Sequence, residues 1–292
     1  MGVATELTLA RHVVSRWRRR LDVAQIALWG VTWLVLAFLI APIAIIVLTS
    51  LTSTPTVEFP PQGFSLVWYQ RFIATLQGAP GTRPALARSI WFSTYLGLLV
   101  SGLATFGGVL AALTLHKFVF RGKEVFQNLF LLPLTFPSLV LGVGLLLTFS
   151  EFRLFDRFTR LLIGHVVTAL PYVVLSVSAS LKVYEEDVEE AARSLGANPL
   201  RTLWHITLPL IRPGILAGAV FAFLTSFTNF TVSFFLSSGS VKPMPIWIYE
   251  FIMNGHSPLL AAISVFLVAM TVGVVIVLER LVGLRQIVGT ST

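Results

Sequence analysis

The stretch EEDVEEAARSLGANPLRTLWHITLP, residues 185–209, is a polar interruption between two long apolar runs of the chain. Its first acidic residues and the later Arg193 have the charge order that a helix dipole favours, and Gly196 suits the left-handed turn that closes a helix. An Asn-Pro pair then marks a turn before a second helical piece. The sequence therefore predicts a short, exposed helix over about 185–196.

The composition excludes an ordinary soluble protein. The 292 residues are 55% hydrophobic and only 12% charged, and the mean hydropathy is +0.85, which is typical of a polytopic membrane protein. Cysteine is absent, so a disulfide framework, a thiolate nucleophile and a cysteine-ligated metal site are excluded. The net charge of +8 does not indicate a nucleic-acid partner, because the basic residues lie in loops between apolar runs.

Six stretches that lack Asp, Glu, Lys and Arg are long enough to cross a membrane, since about 20 helical residues span the hydrocarbon core. Because a backbone in lipid must satisfy its own hydrogen bonds, the predicted fold is an all-α membrane protein with six transmembrane helices. The predicted helices are 25–51, 88–115, 125–150, 161–182, 210–237 and 257–281, in one domain over 23–281 between a basic amino-terminal segment, 1–22, and a tail, 282–292.

The distribution of arginine and lysine predicts the orientation of the chain. With the amino terminus in the cytoplasm, 14 of the 21 basic residues fall on the cytoplasmic side and 7 outside, as the positive-inside rule favours. Both termini and residues 185–209 are then cytoplasmic. The first apolar run is interpreted as an uncleaved helix rather than as a signal peptide, because it is too long.

Seven positions within 185–209 match the EAA motif of bacterial ABC importer permeases, and this stretch is called the EAA segment below. The matching residues are Glu190, Ala191, Ala192, Gly196, Ile206, Leu208 and Pro209. In the family that the chain resembles, this loop forms a coupling helix that docks into a cytoplasmic ATPase. The resemblance implies that these residues contact the ATPase, and Arg193 is predicted to add a charge at the rim of the interface.

A second set of motifs resembles the spermidine/putrescine-type permease subunits. The set includes Pro133-Leu134-Thr135-Phe136-Pro137, Gly164-His165, Pro213-Gly214-Ile215 and Lys242-Pro243-Met244-Pro245-Ile246. The family implies the type I ABC importer permease fold in the bacterial inner membrane. It also implies three kinds of partner: a second homologous permease in a heterodimer, two ATPase subunits and an extracytoplasmic solute-binding protein.

The sequence contains no nucleotide-binding motif of its own, since a Gly-x-x-x-x-Gly-Lys-Ser/Thr loop is absent. ATP and magnesium are therefore expected to bind to the partner ATPase subunits, with no cofactor in this chain. The chain is predicted to be a transport subunit and not an enzyme. Its alternating access to the two sides of the membrane is expected to be driven mechanically through the EAA segment.

The fifth predicted span departs from the polyamine-type pattern. Where many such permeases resemble Ser-Phe-Asp-Glu, this chain has Ser226-Phe227-Thr228-Asn229, and no carboxylate lies inside any of the six charge-free apolar stretches. A neutral, hydrogen-bonding pathway suits an amino acid or an aminoalkylphosphonate at least as well as a polyamine. The predicted pathway residues are Thr135, Ser226, Thr228, Asn229, Thr231 and Ser233.

Two other classes of membrane protein stay open at this point. A secondary transporter or channel that is not coupled to ATP would show an ion-coordinating residue within a span or internal repeats, and neither is evident in the sequence. A structural scaffold would need neither an ordered coupling helix nor a cavity. His165 is interpreted as a packing residue, because no second histidine or carboxylate lies at helical spacing to form a metal site.

Overall fold

The structure, a computed structural model, describes residues 3–80, 84–152, 155–183, 187–237, 239, 242–255 and 257–282. Every regular element within these ranges is a helix. The helices are α1 (Val3–Ser50), α2 (Val67–Leu76), α3 (Pro84–Lys117), α4 (Lys123–Thr135), α5 (Ser138–Glu151), α6 (Arg157–Val183), α7 (Asp187–Ser194), α8 (Pro199–Leu210), α9 (Arg212–Thr228), α10 (Phe230–Leu236), α11 (Met244–Met253) and α12 (Pro258–Val282).

Among the described residues, four helices are long and apolar enough to cross a membrane, and two bent helix pairs raise the number to six if each pair counts as one span. The four are Gln25–Ser50, Ala85–Lys117, Arg157–Lys182 and Pro258–Val277. The bent pairs are α4 with α5 and α8 with α9. Six membrane passages therefore agree with the length and composition of the helices, although two of these passages are not straight.

The predicted span at 125–150 consists of α4 and α5, whose axes differ by 106°. Pro133 lies inside α4 and Pro137 is the N-cap residue of α5, while Phe136 between them has an extended backbone with φ −81° and ψ 141°. A proline lacks the N–H that would continue a helix and disfavours the helical conformation of the residue before it. The two prolines thus account for the bend.

The predicted span at 210–237 is also interrupted, at Asn229, which separates α9 from α10. The bend between α8 and α9 is 67° and lies at Ile211, before Pro213. The helix predicted at 210–237 is therefore two helices, α9 and α10, and a bend between Pro209 and Pro213 separates it from α8 of the EAA segment. The break at Asn229 lies among the predicted pathway residues.

The chain divides into two compact units, one with residues up to 68 and 257–265, the other with 69–256 and the residues from 266 onward. In the first unit, the basic segment predicted at 1–22 does not form a separate element, because its described residues continue directly into α1. The apolar side chains of α1 between residues 26 and 48 are exposed. A long helix with an exposed apolar surface all round is suited to lipid or to another membrane helix.

The core of the second unit lies where α3, α6 and α9 pack against one another. Small residues bring the helices close together: a Cβ atom added at Gly218 would lie 3.0 Å from the Cα atom of Val173. Ser101 of α3 donates a hydrogen bond of 2.7 Å to the carbonyl oxygen of Ala219 in α9. Small residues and interhelical hydrogen bonds are the usual means of packing helices in a membrane.

Candidate functional site

The EAA segment begins with α7 and turns at Gly196, as the sequence predicts. Gly196 has φ +90°, its N–H donates to Arg193 O over 2.9 Å, and the N–H of Ala197 donates to Ala192 O over 3.0 Å. These two bonds close the helix in the way that a glycine-terminated helix commonly does. The predicted first residues of the helix, 185 and 186, lie outside the described residues.

The outer face of α7 and the turn after it are accessible. Glu190, Ala191 and Arg193 are exposed, whereas Ala192 is half-buried. Leu195 is 90% exposed and Trp204 in the following helix is 62% exposed. Apolar side chains that protrude next to charged ones are typical of a surface that binds another protein.

The second part of the EAA segment is α8, which begins with a capped turn. The side-chain oxygen of Asn198 accepts a hydrogen bond of 2.7 Å from the N–H of Arg201, and Pro199 is well suited to the first helical position. Residues Leu203–Thr207 form one turn of π-helix, a feature that is often found at functional sites. The three remaining predicted coupling residues follow: Ile206 and Leu208 are half-buried and Pro209 is exposed.

An ionic cluster, consisting of Lys117, Glu189, Arg193 and Thr207, joins the EAA segment to the end of α3; Glu189 and Thr207 are buried, whereas Arg193 is exposed. Lys117 Nζ is 2.6 Å from Glu189 Oε1 and donates to Thr207 Oγ1 over 3.3 Å. The other carboxylate oxygen of Glu189 accepts from Arg193 over 3.3 Å, and the Thr207 hydroxyl donates to Glu189 Oε1. Sequence analysis named Glu190 for the contact with the ATPase and did not single out Glu189, because nothing in the local sequence distinguishes which of the two glutamates faces inward.

Two of the predicted pathway residues, Ser226 and Ser233, are buried, with exposures of 3% and 0%. They lie on either side of the helix break, and His165 of α6 joins them: its Nδ1 is 2.9 Å from Ser226 Oγ and its Nε2 is 3.1 Å from Ser233 Oγ. In this structure the two serines thus contact the imidazole ring and not an open surface. His165 itself is fully buried, in keeping with the interpretation of this residue as one that packs.

Asn229 forms the break between α9 and α10. Its side-chain oxygen accepts a hydrogen bond of 3.0 Å from the N–H of Val232, which caps α10, and its Nδ2 donates to Thr168 Oγ1 over 3.2 Å. The sequence singled out this amide because an unpaired amide within a span is costly. The structure gives the amide partners on both of its polar atoms.

The three predicted threonines occupy different places. Thr228 is exposed and its hydroxyl donates to Leu224 O over 2.8 Å. Thr231 is half-buried, 3.5 Å from Ser138 Oγ, and Thr135 is exposed near the bend between α4 and α5, where its hydroxyl donates to Leu132 O. The six predicted pathway residues therefore differ in exposure and in their hydrogen-bond partners.

Thr228 lies at the edge of an open cavity of about 430 Å³. Its lining is mainly apolar and includes three aromatic rings, two of which, those of Phe230 and Tyr249, have centroids 5.3 Å apart. The described residues that line the cavity include no charged side chain. Within the described part of the chain there is also no cluster of three or more His, Asp or Glu residues that could hold a metal ion.

Comparison with known proteins supplies the family. Residues 104–284 match the family described as "Binding-protein-dependent transport system inner membrane component". The spermidine/putrescine transport system permease protein PotC of Escherichia coli K12 is 30% identical over 240 residues, which cover 82% of this chain and 88% of that protein. A putative 2-aminoethylphosphonate transport system permease protein, PhnV of Salmonella typhimurium, is 29% identical over 250 residues, which cover 85% of this chain and 91% of that protein.

Among solved structures, a chain of a bacterial ABC transporter that imports the acidic polysaccharide alginate superposes with a TM-score of 0.61 at 18% identity. The match covers 91% of this chain and 96% of that chain. At this level of identity the likeness establishes the fold, which is that of type I ABC importer permeases. The chain, with its EAA segment and its six apolar passages, belongs to the binding-protein-dependent transport system inner membrane components and is a transmembrane permease subunit of an ABC importer, not an enzyme.

Proposed function

We propose that this permease takes up a small solute that bears amino groups, with a polyamine as the first candidate. The observation that supports this most directly is that relatives over more than four-fifths of the chain are named for spermidine, putrescine and 2-aminoethylphosphonate transport. All of these solutes contain a primary amine. An amino acid stays an alternative, because the described residues along the predicted pathway are neutral.

The cavity beside Thr228 fits such a solute. An ammonium group is attracted to the faces of aromatic rings, and Phe230 and Tyr249 are exposed there at 38% and 39%. Thr228, with Thr231 and Thr135, presents hydroxyl groups near accessible surface. We assign Ser226, Ser233 and Asn229 to the pathway through their effect on the helix break, with His165 and Thr168 as their partners.

The energy for uptake is proposed to enter through the EAA segment from two ATPase subunits, which bind ATP and magnesium. The residues that we expect to contact the ATPase are Glu190, Ala191, Ala192, Arg193, Gly196, Ile206, Leu208 and Pro209. The exposed, partly apolar face of α7 supports this assignment, because it has the composition of a protein interface. The same proposal places both termini and the EAA segment in the cytoplasm, in line with the excess of basic residues on that side.

Two further partners complete the proposed importer. A second permease subunit would pair with this one, as a heterodimer, to enclose the translocation pathway. An extracytoplasmic binding protein would deliver the solute to the outer side. The exposed apolar side chains along α1 offer surface for a membrane partner as well as for lipid.

The proposal is tested by co-expressing the chain with an ATPase, a second permease and a binding protein encoded beside it, and by measuring ATP-dependent uptake in proteoliposomes. Labelled spermidine, putrescine, 2-aminoethylphosphonate and a neutral amino acid form the panel. We expect uptake of a polyamine to be the fastest. Uptake of none of the four solutes would contradict the proposed substrate class.

A substitution tests the docking surface. Ala191→Trp is expected to abolish co-purification of the ATPase, because a large ring on an exposed position of α7 prevents close approach. The matched control is Ala27→Trp, which replaces an exposed alanine of α1. This variant is expected still to co-purify with the ATPase. Retention of the ATPase by the Ala191→Trp variant would contradict the proposed interface.

A further inference from the structure

We propose that Glu189 is a positioning residue for coupling, which joins the EAA segment to the end of α3 and to the base of α9 so that the three parts move together. This inference rests on the proposed coupling function. It concerns how movement of α7 would be transmitted to the membrane helices. Glu189, which would transmit it, lies next to the surface that contacts the ATPase but is not part of that surface.

The contacts of Glu189 connect elements that are far apart in sequence. Lys117, at 2.6 Å from Glu189 Oε1, is the last residue of α3. Thr207, which donates to the same oxygen, ends the π-helical turn of α8. The carbonyl oxygen of Thr207 accepts a hydrogen bond of 3.0 Å from the N–H of Ile211, directly before α9. One carboxylate therefore lies at the junction of α3, α7 and the chain that enters α9.

Burial distinguishes this ion pair from one at the surface. The side chains of Glu189 and Lys117 are 9% and 24% exposed, whereas those of the Lys242–Glu250 pair are 45% for the glutamate and 37% for the lysine. The charges of an exposed ion pair are screened by water and salt, so the pair contributes little to the stability of the fold. Charges that are largely removed from water interact more strongly, and each one requires its partner. The Lys117–Glu189 pair is thus suited to hold a fixed geometry.

The two adjacent glutamates of α7, Glu189 and Glu190, have different surroundings and different proposed roles. Glu190 is exposed, while Glu189 is 7% exposed and faces the interior, because successive side chains of a helix point about 100° apart. Arg193 lies one turn after Glu189 and binds its second oxygen at 3.3 Å. Both carboxylate oxygens are therefore occupied by groups from this chain, which leaves Glu190 as the glutamate that is available to a partner.

The absence of cysteine from the chain allows a direct measurement. Spin labels at Val119→Cys, a residue that is 97% exposed just after α3, and at Ser194→Cys, the exposed end of α7, report the distance between the two elements. The complete importer, with cysteines of the other subunits replaced by serine, is placed in lipid nanodiscs. We expect a single narrow distance distribution for the otherwise native chain, and the same for the control Glu250→Gln, which removes the carboxylate of the exposed Lys242–Glu250 pair.

Glu189→Gln is expected to broaden this distribution and to remove its single peak, because Lys117 then has a neutral partner. A distribution as narrow as that of the Glu250→Gln control would overturn the inference. Lys117→Arg, which retains the charge, is expected to give a native distribution. If Lys117→Arg disrupted the distribution as much as Lys117→Met, a role based on charge would be excluded.

A double-mutant cycle tests whether the pair acts as a unit. Lys117→Met and Glu189→Met are each expected to broaden the distribution, while the double variant is expected to be closer to native than either single variant. The reason is that a single replacement leaves a buried charge without its partner, and the double replacement leaves none. Additive effects would contradict the inference.

The failure of this inference can be separated from the failure of the proposed function. Native chain that does not co-purify with the ATPase would refute the coupling surface, whatever the distances show. Glu189→Gln is expected to retain the ATPase, since Glu189 is buried beneath that surface, and to lose ATP-driven uptake of the solute that the native importer transports. Loss of the ATPase with an unchanged distance distribution would instead assign Glu189 to the docking surface.

Discussion

His165 Nδ1 lies 2.9 Å from Ser226 Oγ, and this contact fastens the end of α9 to the middle of α6. The opposite nitrogen of the same ring reaches Ser233 in α10 at 3.1 Å. The two halves of a broken helix are thereby held to one side chain of a third helix. The backbone at the break is supported separately, because the side-chain oxygen of Asn229 accepts a hydrogen bond from the N–H of Val232, a bond that lipid could not supply.

His165→Ala is expected to destabilise the purified chain in detergent by about 1–3 kcal/mol for each buried hydroxyl that is left without a partner. The measurement is the midpoint of thermal unfolding. His205→Ala, which removes an exposed imidazole that contacts a backbone carbonyl within α8, serves as the control and should leave the midpoint nearly unchanged. Equal midpoints for the two variants would show that the contacts to the serines do not stabilise the fold.

Gly214→Ala is expected to destabilise the packing of α9 against α6 by about 1–3 kcal/mol, the usual cost of an overpacked contact. A Cβ atom at this position would lie 2.3 Å from Ser180 Oγ and 2.6 Å from the carbonyl oxygen of Ser176. The carbonyl oxygen of Ser176 belongs to the backbone and cannot move aside by a side-chain rotation, so α9 and α6 must separate.

The matched control is Gly144→Ala in α5, where a Cβ atom meets nothing within 4 Å. Alanine there is expected to be neutral or to stabilise by up to about 1 kcal/mol, because glycine is a poor residue for a helix interior. The measurement is the midpoint of thermal unfolding of the Gly214→Ala and Gly144→Ala variants, each compared with the native chain. A destabilisation of similar size at both positions would contradict the packing explanation.

Gly196→Val is expected to prevent ATP-coupled uptake while the chain still inserts into the membrane. A Cβ atom at Gly196 meets nothing within 4 Å, so the cost arises from the backbone, whose φ is +90°. A β-branched residue is strongly disfavoured in the left-handed region, whereas asparagine tolerates it better. Gly196→Asn is therefore expected to retain part of the uptake, and equal uptake by the valine and asparagine variants would argue against a conformational role.

The hydrogen bonds of Asp156 predict that the stability of the first turn of α6 depends on pH. Its carboxylate accepts a hydrogen bond from the Thr159 hydroxyl and from the N–H groups of Phe158 and Thr159, and these bonds hold its pKa below the ordinary 3.8. Because the folded pKa is lowered, the stabilisation of the first turn of α6 is present above pH 3.8 and is lost as the pH falls through the folded pKa.

Amide hydrogen exchange at Phe158 and Thr159, corrected for the intrinsic pH dependence, measures this effect. Protection is expected to fall in the native chain below pH 3.8 and to be insensitive to pH in Asp156→Asn, whose side chain keeps an acceptor but does not titrate. The same pH dependence in both chains would exclude Asp156 as its source.

Local rules predicted much of the EAA segment from sequence. The end of α7 at Gly196 and the Asn198-Pro199 turn follow from the conformational preferences of these residues. The prolines at 133 and 137 were identifiable as helix breaks, but not the 106° angle between α4 and α5, because the angle depends on what the helices pack against.

The parts that were missed depend on distant partners. The sequence cannot tell Glu189 from Glu190, since the choice is made by Lys117, 72 residues away. Ser226 and Ser233 were predicted to face the pathway because short polar residues in a span commonly do, or else bond within the bundle. His165 decides between these two possibilities, and it lies 61 and 68 residues from them.

The π-helical turn at Leu203–Thr207 contains one residue more than an α-helical turn would need. Loss of a single residue there would convert it to a regular turn and would leave the residues on both sides in nearly the same rotational register, because the turn itself absorbs the extra residue. Loss of a residue from the regular turn that follows, Leu208–Leu210, would instead rotate everything after it by about 100° and would turn Gly214 away from Ser180. The chain is therefore expected to tolerate a one-residue deletion within Leu203–Thr207 better than one within Leu208–Leu210.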